Sequence, residues 1–224
     1  MIAGMRILVP LLIPASLAFA QGEPAVRVDN ASVRVVDAVN APHVRSAMHE
    51  HKLNRVTVYL SPCDMRLTPS GGAAKDYHGK YGDVVWSPAA GMHTAENLSD
   101  APCRIIEVEL KPGEGRKPVA AGAFDPVAVD PRHYKVVLDN AQVRVLRARF
   151  GPHETTAMHQ HARDRVTIFL TDADLRPTTS DGVTREVHGK AGDVAFAAGG
   201  AVKHTENNAA AQPFEVIAIE LKSR

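Results

Sequence analysis

The sequence predicts an all-β protein, two tandem copies of one β-domain behind an N-terminal export signal. Three observations predict it. Val26 to Leu60 aligns without gaps on Val136 to Leu170, and the match continues towards the end of each copy. Within a copy the apolar runs are short and β-branched, and Gly, Pro, Asn and Asp separate them, as in strands joined by turns. No segment sustains the 3.6-residue period that an amphipathic helix requires.

Residues 1–20 read as a signal peptide. Arg6 supplies a positive start, Ile7 to Leu17 is mostly apolar, and Ala18-Phe19-Ala20 is a small-x-small cleavage signal before Gln21. The apolar run is shorter than the ~20 residues of a membrane span and contains Pro10 and Pro14. The first copy, 21–116, has its clearest strands at Val33–Val36, Arg55–Leu60, Val84–Trp86 and Arg104–Leu110. Pro112 to Pro131, rich in Gly, Ala and Pro, is the connection, and its later part is expected to begin the first strand of the second copy, 117–224. Each copy is far longer than a solenoid repeat, so each is expected to carry its own core.

Composition narrows the partners. The formal charge is +1, and without residues 1–20, whose only charge is Arg6, 25 basic side chains stand against 25 acidic ones. A balanced chain without a basic run points away from nucleic acid and from an anionic membrane surface. The expected partner is a small molecule, and the expected location is periplasmic or secreted. Export also changes how Cys63 and Cys103 read. Both fall in the first copy and have no counterparts in the second, so they are a disulfide candidate in an oxidising compartment, or else two unrelated thiols. No Gly-x-Ser-x-Gly elbow, P-loop or dinucleotide fingerprint is present.

Histidine placement carries the functional signal. His43, His49, His51 and His78 recur as His153, His159, His161 and His188, each 110 residues on, and His93 recurs as His204 after one inserted residue. On a strand, residues i and i+2 share a face, so His49 and His51 project together, as do His159 and His161. A third imidazole from a neighbouring strand would complete a facial set that suits Fe, Mn, Ni, Cu or Zn. The competing reading is a cluster of barrel histidines bonded to one another and to water.

These residues resemble the cupin superfamily. The His-x-His of its first motif stands at His49/His51 and His159/His161, and its second motif matches Gly82, Pro88, His93 and Asn97. In the second copy Gly192, His204 and Asn208 remain, the Pro is lost and the turn is longer by one residue. The resemblance covers nearly all of the mature chain and implies two tandem cupin jelly-roll barrels, a bicupin. It assigns His93 and His204 as the third ligands, hence one divalent transition metal per barrel, with the better motif match in the first. It also implies that the Arg55–Leu60 strand pairs antiparallel with Arg104–Leu110, which brings Cys63 and Cys103 together. Cupins often pair barrels, so a homo-oligomer is open, though the repeat can supply that pairing within one chain.

One departure stands out. Where the motif expects Glu, this chain has Arg55 and Arg165, and a guanidinium cannot coordinate a metal. Either each arginine clamps the carboxylate of a small ligand at the open metal positions, or it pairs with a protein carboxylate such as Asp83 or turns to solvent. His43 and His153 read as turn residues, His78 and His188 as surface residues, and Trp86 as core. Tyr59 and Tyr77 are acid–base candidates in the first copy only. The functional expectation is an exported metal-dependent enzyme, dioxygenase-like or isomerase/lyase, acting on a small carboxylate or oxygen-rich molecule. A non-catalytic metal- or ligand-binding cupin is the alternative.

Overall fold

The computed structural model describes residues 23–113 and 119–223; the signal peptide read at 1–20 lies outside them. The described chain is almost entirely β, with one four-residue helix. The first half contains β1 (Ala25–Asp29), β2 (Val33–Asn40), β3 (His49–His51), β4 (Arg55–Tyr59), β5 (Cys63–Pro69), β6 (Lys75–Gly79), β7 (Val84–Ser87), β8 (Ala90–Asn97) and β9 (Cys103–Leu110). The second contains the helix α1 (Pro126–Val129), then β10 (Tyr134–Asp139), β11 (Val143–Phe150), β12 (His159–Gln160), β13 (Arg165–Phe169) and β14 (Ala173–Leu175). It ends with β15 (Thr178–Thr179), β16 (Val187–Gly189), β17 (Val194–Ala197), β18 (Lys203–Thr205) and β19 (Phe214–Leu221).

Each half has a five-stranded antiparallel sheet of matching order, β1-β2-β9-β4-β7 and β10-β11-β19-β13-β17. The four strands expected in the first copy are β2, β4, β7 and β9, all in this sheet. Opposite it lies a second layer, β3-β8-β5-β6 in the first half. In the second half that layer is broken into β12-β18-β15 and β14-β16. The break has a visible cause. Leu67 lies within β5, and its counterpart is Pro177, which has no N–H to give a ladder and divides the strand into β14 and β15.

Alternation along the strands builds two kinds of core. On β4 and β9, Val56, Val58, Ile106 and Val108 face outwards from the first half and meet Val166, Ile168, Ile217 and Ile219 of the second in one buried cluster. The largest core is therefore shared between the halves, in addition to the cluster that each half carries inside itself. The opposite faces point into each half. There the first half buries Cys63, Met65 and Cys103 against Tyr59 and Ile105, and the second buries Phe150, Phe169, Phe214 and Tyr134. Trp86 packs against the shared cluster, as expected of a core residue.

The connection corrects one expectation. Its later part does not begin a strand; Asp125 caps the short helix Pro126–Val129, and the first strand of the second half starts only at Tyr134. Asp followed by Pro is an N-cap with the favoured first helical residue, a signal that overrides the strand reading. Cys63 and Cys103 form a disulfide with Cα atoms 5.0 Å apart, at the starts of β5 and β9.

Candidate functional site

The strand register brings the predicted histidines together. In the first half His49 on β3 pairs with His93 on β8; in the second His159 on β12 pairs with His204 on β18. His51 and His161 sit two residues further along, on the same face. Donor atoms of His49, His51 and His93 lie within 4.8 Å of one another, and so do those of His159, His161 and His204. The ring centroids in the first half are 4.5 to 5.3 Å apart.

Hydrogen bonds on the outer nitrogens set the tautomers. His49 Nδ1 donates to the Ala47 carbonyl at 2.9 Å, His93 Nδ1 to Gly91 at 3.0 Å and His159 Nδ1 to Ala157 at 2.9 Å. His161 Nδ1 lies 3.4 Å from Glu220 Oε1. A carbonyl can only accept, so Nδ1 carries the proton and Nε2 keeps its lone pair turned inwards. Burial, the largest influence, pulls His51 down to about 4, reinforced by the Arg55 guanidinium and the other two imidazoles and opposed by Glu107. Burial likewise takes His159 down to about 4 and lowers His161. These imidazoles are neutral at neutral pH, the form that binds a metal. Three imidazoles converging in each half, with His49, His93 and His159 already oriented by backbone carbonyls, are a donor set that fits a borderline transition-metal cation.

Arg55 is buried and points into the first half from β4. Its Nε donates to Glu107 on β9 at 2.6 Å, so its carboxylate partner is Glu107 and not Asp83. Its Nη1 is buried without a hydrogen-bond partner, an unusual state for a charged donor. Arg165 occupies the equivalent place on β13, where Ala218 replaces Glu107, and no ion pair to it is seen among the described residues.

The surroundings of the second trio differ. Glu206, two residues after His204, has a carboxylate oxygen 3.7 Å from His204 Nε2, and Tyr134 donates its hydroxyl to Glu206 at 3.1 Å while touching His159 Nε2 at 3.0 Å. Burial would raise Glu206, yet the His204 hydrogen bond and the three imidazoles hold it down to about 2. Burial pushes the Tyr134 phenol well above its usual range, and the neighbouring Glu206 adds to this. Glu220 on β19 is buried between His161, Arg144 and Arg163. Sequence reading missed Glu107, Glu206, Glu220 and Tyr134. The first three were legible as acids alternating with apolar residues on a strand, or spaced i+2 from a ligand. Tyr134 had no signal, because the matching residue of the first copy is Pro24.

The remaining candidates fall outside the trios. His43 and His153 occupy left-handed turns at φ 56° and 57°, and His43 Nε2 bonds Asp100 at 2.8 Å. His78 is exposed and bonds Asp64 at 2.6 Å; His188 is exposed 3.4 Å from Asp174. Tyr59 packs over Gly79 and Tyr77 is exposed, so neither joins the imidazoles. Asn97 and Asn208, both fully buried, tie loops together through backbone carbonyls.

Comparison with known proteins agrees with this picture. The β-alanine degradation protein BauB of Pseudomonas aeruginosa is 37% identical over 87 residues, which is 39% of this chain and 90% of that protein. The chain belongs to the cupin superfamily. The crystal structure of AerE from Microcystis aeruginosa superposes on this cupin over 88% of the chain and 96% of its own, with TM-score 0.61 and 14% identity. Oxalate decarboxylase from Bacillus subtilis superposes over 90% of this chain and 76% of its own, with TM-score 0.60 and 12% identity. At such identities the two superpositions speak for fold alone. No family model matches the chain. Among the described residues no helix is long and apolar enough to cross a membrane.

Proposed function

We propose that this cupin is an exported bicupin metalloprotein whose first half binds a small carboxylate, or another oxygen-rich anion, beside a divalent transition metal. His49, His51 and His93 would hold the metal, one of Fe, Mn, Ni, Cu or Zn, and His159, His161 and His204 would hold a second. The disulfide fits an oxidising location, periplasmic or secreted. The solved structure of oxalate decarboxylase used above is described by its Mn(II) centres, which supports a metal and a small dicarboxylate as the first chemistry to try.

The observation that carries the reading is the buried Nη1 of Arg55 beside the first trio, a cationic donor with nothing to bond. Glu107 fixes the guanidinium through Nε, and the remaining edge is free for a carboxylate or enolate oxygen. Once bound, the metal would supply Lewis-acid or redox character; Arg55 orients the anion, and the buried walls exclude bulk water. Arg165 has the corresponding position in the second half. Turnover is part of the proposal: the reaction is of the dioxygenase-like or isomerase/lyase kind.

The test separates metal from anion. Protein recovered from an oxidising compartment is analysed for bound metal, and oxalate binding is measured on unsubstituted protein and on Arg55→Leu. The expected result is about one to two metals per chain, unchanged by the substitution, with oxalate affinity lower by about 10- to 100-fold, the worth of one or two charge-assisted hydrogen bonds. Unchanged binding of oxalate and of other small carboxylates ends the clamp, and protein that takes up no metal ends the metalloprotein reading.

A further inference from the structure

The second half carries an acid that the first lacks. Glu206 follows His204 by two residues and shares its face, while the same position after His93 is Ala95. Its carboxylate is mostly enclosed, with one oxygen 3.7 Å from His204 Nε2 and the other 3.1 Å from the Tyr134 hydroxyl, which also touches His159 Nε2. His159 turns its proton outwards to a backbone carbonyl, and no guanidinium or ammonium bonds Glu206 among the described residues; a carboxylate so enclosed is costly unless positive charge occupies the space between it and the imidazoles.

We infer that Glu206 is the fourth protein ligand of the second metal site, held in place by Tyr134, so that the two halves of this cupin present different coordination shells. This rests on the metal reading above. The acid comes from the strand of the third histidine, whereas the place four residues after His161 is taken by Arg165. The second site would then be charge-compensated by the chain itself. The first, with Ala95 and an unsatisfied Arg55, keeps its open position for an exogenous anion.

The experiment isolates the second site with His49→Ala/His51→Ala and titrates it with Co(II), followed by visible absorption and by competition with a chelator. The paired substitution is expected to leave one Co(II) site. Adding Glu206→Gln should weaken that site by about 10- to 100-fold and change its absorption spectrum, and Tyr134→Phe should weaken it by about 10-fold. In the complementary background His159→Ala/His161→Ala, Ala95→Glu should tighten the first site, an outcome that does not depend on how the Glu206 variant folds. Equal Co(II) affinity with Glu or Gln at 206 overturns the inference. Loss of all binding in His49→Ala/His51→Ala, when the parent binds one equivalent, overturns it too but leaves the first-half reading standing. A parent that binds no Co(II) sinks both.

Discussion

The two halves share a fold and a histidine trio but fill their interiors by different means. In the first, the inward faces of β2, β4 and β9 carry Asn40, Tyr59, Cys103 and Glu107, and a disulfide closes one end. In the second the same places hold Phe150, Phe169, Phe214 and Ala218, and the disulfide's place is taken by Ala173 and Phe214. Phe150 and Phe214 stack at 5.5 Å. Aromatic burial replaces a covalent staple, and a buried carboxylate network replaces an open polar wall. The comparison teaches that one fold can neutralise its interior in two ways. One interior is packed and self-neutralising, and the other is left polar.

The strongest way to break this comparison is to remove the same acid from each half. Glu220 is 1% exposed and bonded to Arg144 and Arg163, whereas its equivalent Glu109 is 14% exposed, pairs with Arg34, itself 42% exposed, and lies 4.0 Å from His51 Nδ1. Glu220→Ala leaves two guanidinium groups short of their counter-charge and should cost about 3–5 kcal/mol. Glu109→Ala should cost no more than about 1 kcal/mol. Urea unfolding of both variants measures the difference, and equal losses would show that the second half is not the one that depends on buried charge.

Next in size is the staple. Removing the Cys63–Cys103 bridge with a Cys63→Ala/Cys103→Ala pair releases a loop spanning 40 residues and should cost about 3–4 kcal/mol by the loop-entropy estimate. The damage should localise. Hydrogen exchange is expected to rise in β5, β6 and β8 while the Phe-packed strands of the second half keep their protection. Uniform loss across both halves would mean that the shared cluster makes them one cooperative unit.

Acid is a gentler probe of the same asymmetry. His159 is held at about 4 against an ordinary 6.5, so below 6.5 the unfolded chain takes up its proton first and stability falls until about pH 4. Glu206 and Glu220, held at about 2 against 4.5, then extend the loss from about pH 4.5 towards 2. His51 of the first half is held at about 4 as well, so the loss between pH 6.5 and 4 is common to both halves, whereas the two glutamates belong to the second. The amides of β12, β13 and β19 should therefore lose protection before those of β4 and β9 as pH is lowered from 4.5 to 3. The reverse order would contradict the assignment of buried charge to that half.

How much of this could be read from the chain follows the same division. The five-stranded sheets were legible because their strands alternate β-branched apolar residues into the shared cluster. The opposite layer was not, because β5, β6 and β8 are polar and punctuated, and their pairing depends on distant partners. His49, His51 and His93 were legible from spacing, and the disulfide from the fold that the motifs imply. Arg55 was recognised as a departure, but its partner Glu107 emerges only from the β4–β9 register. The packing of one half on the other left no local trace at all.

That packing supplies the finest test of the comparison. Asp37 and Arg104 form an ion pair on β2 and β9, and the equivalent pair on β11 and β19 is Arg147 and Glu215, with the charges exchanged. Each arginine also lies across a glycine turn of the opposite half. A Cβ on Gly82 would fall 2.2 Å from Arg147 Nη2, and one on Gly192 would fall 2.7 Å from Arg104 Nη1. Both glycines have positive φ, so turn geometry and close approach require them together. Arg147→Glu alone sets two carboxylates side by side and should cost about 1–2 kcal/mol, modest because the site is partly exposed. Adding Glu215→Arg restores the attraction but not the guanidinium over Gly82. The double variant should therefore recover about half of that loss in a double-mutant cycle. Full recovery would mean that only the sign of the pair matters; no recovery would mean that the arginine serves the seam between the halves and not its own carboxylate.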